Sequence, residues 1–149
     1  MIGNRIEAYH FHEDDWESYE ALRSAFEWEV PEQFNIATYV CDRWADEEGR
    51  IAVFDEQYGE RNTYTFYELR NATNRLANYL RAAGVGRGDR VGINTPQRAE
   101  TVIAHIACWK LGAVSIPLST LFGPDALSYR LSDADAVAAI VDESNVEDF

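Results

Sequence analysis

Four groups of residues have the types that chemistry needs. His10, His12, Glu13 and Asp14 put two imidazoles and two carboxylates within one short stretch. Such groups bind a divalent ion, but a closed site needs four convergent ligands and a chain terminus offers little to hold them, so no metal site is expected. Gly84, Gly86 and Gly88, followed by Asp89, suggest a phosphate-cradling loop. A dinucleotide fingerprint places its glycines after a strand and before a helix, so that free helix N–H groups face the phosphates. Here they follow a helical pattern and precede a strand, which predicts a helix C-cap and a tight connection. Cys41 and Cys108 lie in helical patterns without C-x-x-C spacing and are expected to be free, buried thiols. His105, beside Ile106 in a helical pattern, is expected to be a satisfied core or edge histidine. With no Ser/His/Asp set, no H-E-x-x-H and no glycine-rich loop carrying a lysine, the residues by themselves predict a scaffold with no catalytic residue.

The elements that would position these groups centre on residues 88–117. An apolar run at Arg90 to Asn94, a helical pattern from Gln97 to Leu111 and a second run at Val114 to Leu118 predict a βαβ unit. Thr95 is expected to cap the helix, Pro96 to take its first position and Gly112 to end it in the left-handed conformation. Ala99, Val102, Ile103, Ile106 and Ala107 would form the face against the sheet. Upstream, Trp16, Tyr19, Leu22 and Phe26 predict a helix over 15–27, and Asn35 a second helix with Ile36, Tyr39, Val40, Arg43 and Trp44 on one side. Trp16, Trp28, Tyr39 and Trp44 read as core packing.

Two β runs, Ile51 to Asp55 and Asn62 to Thr65, flank Tyr58-Gly59 and predict an antiparallel hairpin. Thr65 and Glu68 have the spacing of a capping box for a helix carrying Leu69, Ala72, Leu76, Leu80 and Ala83 up to Gly84. Gly123 and Pro124 start another helix, with Leu127 and Leu131 inward and Arg130 on the polar side. Ala136 to Val141 reads as a strand buried on both faces. The fold class is α/β: a mostly parallel sheet with flanking helices, part of a larger domain, plus an N-terminal helical lead-in over 1–33 and the hairpin. Residues 34–149 are taken as the first, incomplete part of that domain, because a further helix is expected to cover the sheet after the last strand.

At 149 residues with 46% hydrophobic content the chain can bury one sizeable core. No apolar run approaches the roughly 20 residues of a membrane span, and the N-terminal stretch lacks a signal-like apolar segment, so a cytoplasmic protein is expected. A net charge of −13 excludes a nucleic-acid surface, since phosphate backbones reward cations. Lys110 is the single lysine against twelve arginines. Dispersed carboxylates with so little lysine point to a surface adapted to high salt, where screening removes self-repulsion; the alternative is an ordinary acidic surface.

From Phe34 to Asp142 the chain resembles the N-terminal portion of the AMP-forming acyl-CoA synthetases, within the adenylate-forming superfamily. The residues carrying the resemblance are Thr65-Phe66-Tyr67-Glu68-Leu69, Gly88-Asp89-Arg90-Val91-Gly92-Ile93, Pro96 to Glu100, Lys110-Leu111-Gly112-Ala113-Val114 with Pro117, and Phe122-Gly123-Pro124-Asp125-Ala126-Leu127 leading to Tyr129-Arg130. Arg23 to Ala45 resembles the lead-in of the acetyl-CoA and medium-chain acyl-CoA synthetases. The resemblance implies a ligase that joins a small carboxylic acid to ATP, releases pyrophosphate and passes the acyl group to coenzyme A, with Mg2+ and cationic side chains offsetting phosphate charge. It also implies that the phosphate loop with its lysine, the adenine- and ribose-binding motifs and the catalytic lysine lie downstream, so this stretch alone is not expected to catalyse. Its partners would be the carboxylic acid, ATP, coenzyme A and the remainder of the adenylation domain. Lys110, part of the helix-ending Lys-Leu-Gly-Ala pattern, does not stand in for either lysine.

The resemblance further implies that Arg130 contacts the coenzyme A nucleotide and that Ser119, Thr120 and Leu121 run beside the pantetheine. Thr120-Leu121 stand where those relatives carry small glycines. The alternative for Arg130 is a surface ion pair with Asp133 or Asp135. The alternative for the whole chain is a self-standing, non-catalytic α/β binding or interaction module built on the same scaffold.

Overall fold

The structure is a computed structural model that describes residues 6–46, 49–57 and 59–149. It divides into two compact units, residues 1–34 and 35–149.

In the first unit a 3-10 segment, Glu7–Glu13, precedes α1, Tyr19–Ala25. The helix starts later than the apolar spacing predicts because Ser18 takes the cap, its Oγ accepting from Ala21 N at 3.1 Å. Around it an edge-to-face aromatic chain forms, with Phe11 on Phe26 at 5.7 Å, Phe26 on Trp28 at 5.1 Å and Trp28 on Tyr9 at 6.0 Å. Trp28 is 77% exposed and Trp16 is exposed too, so these two tryptophans are not the core residues their spacing suggests.

The second unit opens with α2, Ile36–Val40, capped by Asn35, whose Oδ1 accepts from Ala37 N at 2.9 Å and Thr38 N at 3.3 Å. Its buried face is Ala37 and Cys41, whereas Ile36 and Val40 are exposed. The small residues let α2 approach Leu69 and Ile106 closely, and those four form one core cluster. A 3-10 turn, Asp42–Trp44, follows; its Asp42 carboxylate pairs with the Lys110 ammonium. Strands β1, Ile51–Gln57, and β2, Glu60–Thr65, form the expected antiparallel hairpin. It leads into α3, Phe66–Ala82, closed at its start by a complete Thr65/Glu68 capping box that satisfies orphan backbone donors of the first turn.

The parallel sheet consists of β3, Arg90–Asn94, β4, Val114–Pro117, and β5, Ala138–Val141, in the order β4-β3-β5. Helix α4, Ala99–Lys110, joins β3 to β4, and α5, Pro124–Asp133, joins β4 to β5. On one face, Val91 and Ile93 pack with Ala77 and Leu80 of α3 and Ala104, Ala107 and Cys108 of α4 in the main core cluster. On the other, Gly92 leaves room for α5: a Cβ there would lie 2.7 Å from Leu131 Cδ2 and 3.1 Å from Leu118 Cδ1.

Three expectations are revised. Helix α4 begins at Ala99 after an extended Arg98, because the Thr95 hydroxyl bonds to Thr101 Oγ1 at 2.8 Å instead of to the helix amides. Its buried face takes in Ala104 and Cys108, while Val102 is exposed. Strand β5 is an edge strand with Ala139 exposed, not one buried on both faces. Among the described residues no helix is long and apolar enough to cross a membrane.

Candidate ligand-binding edge of the sheet

All three parallel strands end on the same side, and in open parallel sheets ligands bind outside the carboxyl ends of the strands. Asn94, the last residue of β3 and 1% exposed, joins the three ends. Its Nδ2 donates to Ser119 O at 2.9 Å, its Oδ1 accepts from Asn145 Nδ2 at 2.8 Å, and its carbonyl accepts from Asp142 N at 2.9 Å. Buried amides need such partners, and here the partners come from the segments after β4 and β5.

Ser119, Thr120 and Leu121 form the exposed turn after β4. Ser119 Oγ accepts from Leu121 N at 3.2 Å and Ser119 O from Phe122 N at 3.1 Å, a serine-stabilised turn that leaves Leu121 92% exposed. Arg130, on α5, joins this loop through Phe122: its guanidinium lies 4.1 Å from the ring centroid, and its Nη1 donates to Ala126 O at 2.9 Å. Among the described residues the pairing with Asp133 or Asp135 that its position allowed does not form; Asp135 Oδ2 instead lies 3.9 Å from Arg90 Nη2. Thus an exposed guanidinium with a single backbone acceptor stands on the ring that directly follows the turn. Such a group suits an anionic oxygen, or a planar base that stacks on it.

The far side of the edge is closed by charge. Arg98 Nη2 lies 2.5 Å from Asp142 Oδ2, and Asp142 Oδ1 accepts from Ser144 Oγ and from Ser144 N at 3.1 Å. The Ser144 hydroxyl first, then its amide, and also Arg98, hold the Asp142 carboxyl below its ordinary range. Sequence reasoning missed Asn94, Arg98 and Asp142. The only signal was an asparagine ending an apolar strand run, and its partners are far away along the chain.

The remaining chemistry-bearing residues lie elsewhere. Gly84 and Gly88 have φ of +97° and +85°, and the segment they bracket is the connection into the amino end of β3, where Gly86 N donates to Asp89 Oδ2 at 2.8 Å. Lys110 is committed to Asp42. Burial pushes the thiols of Cys41 and Cys108 up to about 11, so both stay protonated and unreactive near neutrality. His105 Nδ1 lies 2.9 Å from Ser115 Oγ, which also accepts from Trp109 Nε1 at 3.0 Å. Burial holds the His105 pKa below its ordinary value of 6.5, which favours the neutral imidazole. The sheet edge therefore brings together amide, hydroxyl, guanidinium and carboxylate groups that can hold a ligand.

The model of a family described as "AMP-binding enzyme" matches residues 41–149. An acetyl-coenzyme A synthetase of Gemmatimonas aurantiaca is 34% identical over 120 residues, which cover 74% of this chain and 18% of the relative. A mitochondrial acyl-coenzyme A synthetase of Mus musculus is 32% identical over 138 residues, 87% of this chain and 24% of the relative. The crystal structure of an acyl-CoA synthetase from Brucella canis superposes with a TM-score of 0.74 at 30% identity, covering 77% of this chain and 21% of that one. The chain thus spans about a fifth of the length of the proteins it matches.

Proposed function

The chain belongs to the AMP-binding enzymes, and from that membership we propose that it is the amino-terminal part of an acid–CoA ligase that adenylates a short- or medium-chain carboxylic acid with ATP and transfers the acyl group to coenzyme A. The observation that carries this reading is the family match over 41–149, a stretch that includes the whole carboxyl edge of the sheet. In this reading Arg130 turns from Ala126 O to a phosphate of the coenzyme A nucleotide, and Ser119, Thr120 and Leu121 run beside the pantetheine. The exposure of that turn and the lone backbone acceptor of Arg130 support it.

The described residues do not fit ATP or Mg2+. Lys110 is held by Asp42, and the glycines lie at the amino end of β3, away from the carboxyl edge. The ATP and Mg2+ chemistry of such a ligase would need groups beyond these. A cytoplasmic enzyme of fatty-acid or acetate activation, in a cell of high internal salt, completes the proposal; one lysine and a net charge of −13 support the salt adaptation.

The test has two parts. The 149-residue chain is expected to give no carboxylate-dependent ATP–pyrophosphate exchange, and the product of any open frame continuing past the Phe149 codon is expected to give it with acetate or butyrate. Exchange by the short chain, or none by the extended one, overturns the reading. In the extended enzyme Arg130→Ala should raise the KM for coenzyme A about tenfold with a much smaller change in kcat, the signature of lost uniform binding. A second reading, a self-standing binding module, draws on the two core clusters that residues 35–149 form by themselves. It is favoured if the frame stops and the short chain unfolds cooperatively as a monomer.

A further inference from the structure

The first unit holds a feature that the ligase reading does not use. Two of the three histidines in the chain, His10 and His12, converge with Glu13. His10 Nδ1 lies 3.2 Å and His12 Nε2 3.8 Å from Glu13 Oε1, and the three ligand atoms all fall within 4.8 Å of one another. Residues two apart on a regular helix do not face each other, so the spacing alone does not produce this meeting. A break does: His10 has φ −104° and ψ 22°, outside the helical region, and it brings the two rings to 5.6 Å between centroids.

The segment is braced between its histidines. Tyr9 donates its hydroxyl to Glu29 O at 2.6 Å and meets Trp28 edge-on. Phe11 packs on Phe26, and its carbonyl accepts from Trp16 Nε1 at 2.6 Å. Each histidine thus neighbours an anchored aromatic residue, which answers the objection that a chain terminus cannot hold ligands.

We propose that His10, His12 and Glu13 bind a divalent transition ion of the zinc class on the surface of the first unit, with a fourth position open to water. Tetrahedral coordination at bond lengths of roughly 2.0–2.2 Å sets ligand atoms about 3.4 Å apart, and the separations of 3.2, 3.8 and at most 4.8 Å reach that by small side-chain rotations. Two imidazoles and one carboxylate select Zn2+, Co2+, Ni2+ or Cu2+ over Mg2+ and Ca2+, which prefer all-oxygen sites. The side chains of His12 and Glu13 are 64% and 50% exposed, so the ion enters from solvent, and the net charge of −13 concentrates cations at the surface.

The test titrates Co2+ and Zn2+ into the untagged full chain, reading the Co2+ d–d absorption and the heat of Zn2+ binding. One equivalent is expected to bind, unaffected by excess Mg2+. His10→Ala and His12→Ala should each weaken it about tenfold or more, since even outer-shell changes cost that much. Glu13→Gln, which keeps shape, should weaken it as well, whereas His105→Gln should not. Paramagnetic Co2+ should broaden amide signals around residues 9–14 first. Binding of equal strength in the His10→Ala/His12→Ala variant, broadening centred elsewhere, or no saturable binding by the wild-type chain would each overturn the proposal. None of these results bears on the ligase reading, which ATP–pyrophosphate exchange tests separately.

Discussion

Asn94 commits its amide nitrogen, amide oxygen and carbonyl to three residues in the two segments after β4 and β5, so its loss reaches further than one side chain. Asn94→Ala should cost about 1–3 kcal/mol in thermal or urea unfolding, the range for buried polar groups left unpaired, and should loosen the Ser119 turn as seen in amide exchange. Stability unchanged by the substitution would show that the clamp carries nothing. This role was not legible in the sequence, because Ser119 and Asn145 stand 25 and 51 positions away and no local pattern announces them. His105 gives a second residue-scale expectation. Burial holds its folded pKa below the ordinary 6.5, so the unfolded chain binds the extra proton first. Its contribution is fully present above about pH 6.5 and is lost as pH falls toward the depressed folded value. The melting temperature should therefore decline between about pH 7 and pH 5, and His105→Gln should flatten that slope; an unchanged slope would locate the effect in other groups.

At the scale of elements, Gly92 sets how closely α5 approaches the sheet. Gly92→Val should overpack against Leu131 and Leu118 and cost about 1–3 kcal/mol, read as a lower urea midpoint at unchanged m-value. An unaltered midpoint would mean that α5 moves away without penalty. Elements whose boundaries rest on local chemistry were readable: the Thr65/Glu68 box, the Asn35 cap and the left-handed Gly84 and Gly112 are all as the sequence predicts. Those decided by distant packing were not. Ala37 and Cys41, not Ile36 and Val40, pack with Leu69 and Ile106, residues that lie 28 or more positions further along the chain. The start of α4 moved because the Thr95 hydroxyl bonds to Thr101, six positions on, instead of to the first helix amides. At the site, the turn and Arg130 were found through resemblance alone, and the Phe122 ring beneath the guanidinium through the structure.

For the whole molecule, 26 acidic against 13 basic side chains predict a salt response. If the surface is adapted to high salt, raising NaCl from about 0.1 M to about 2 M should lift the melting temperature by several degrees, as screening shortens the reach of self-repulsion from about 10 Å to below 3 Å. A fall or no change would make it an ordinary acidic surface. The strand order has a further consequence, in time instead of space. The β1–β2 hairpin closes Gln57 on Glu60 and runs directly into the capped α3, all short-range events. Strand β3 must instead wait for α4, β4 and α5 before Val91 can meet Ala138, and long-range parallel pairing is slow because its loop-closure entropy is lost before any contact repays it. The hairpin and α3 are thus the first pieces expected to organise and the docking of β5 the last. That is also the order in which these elements leave the ribosome.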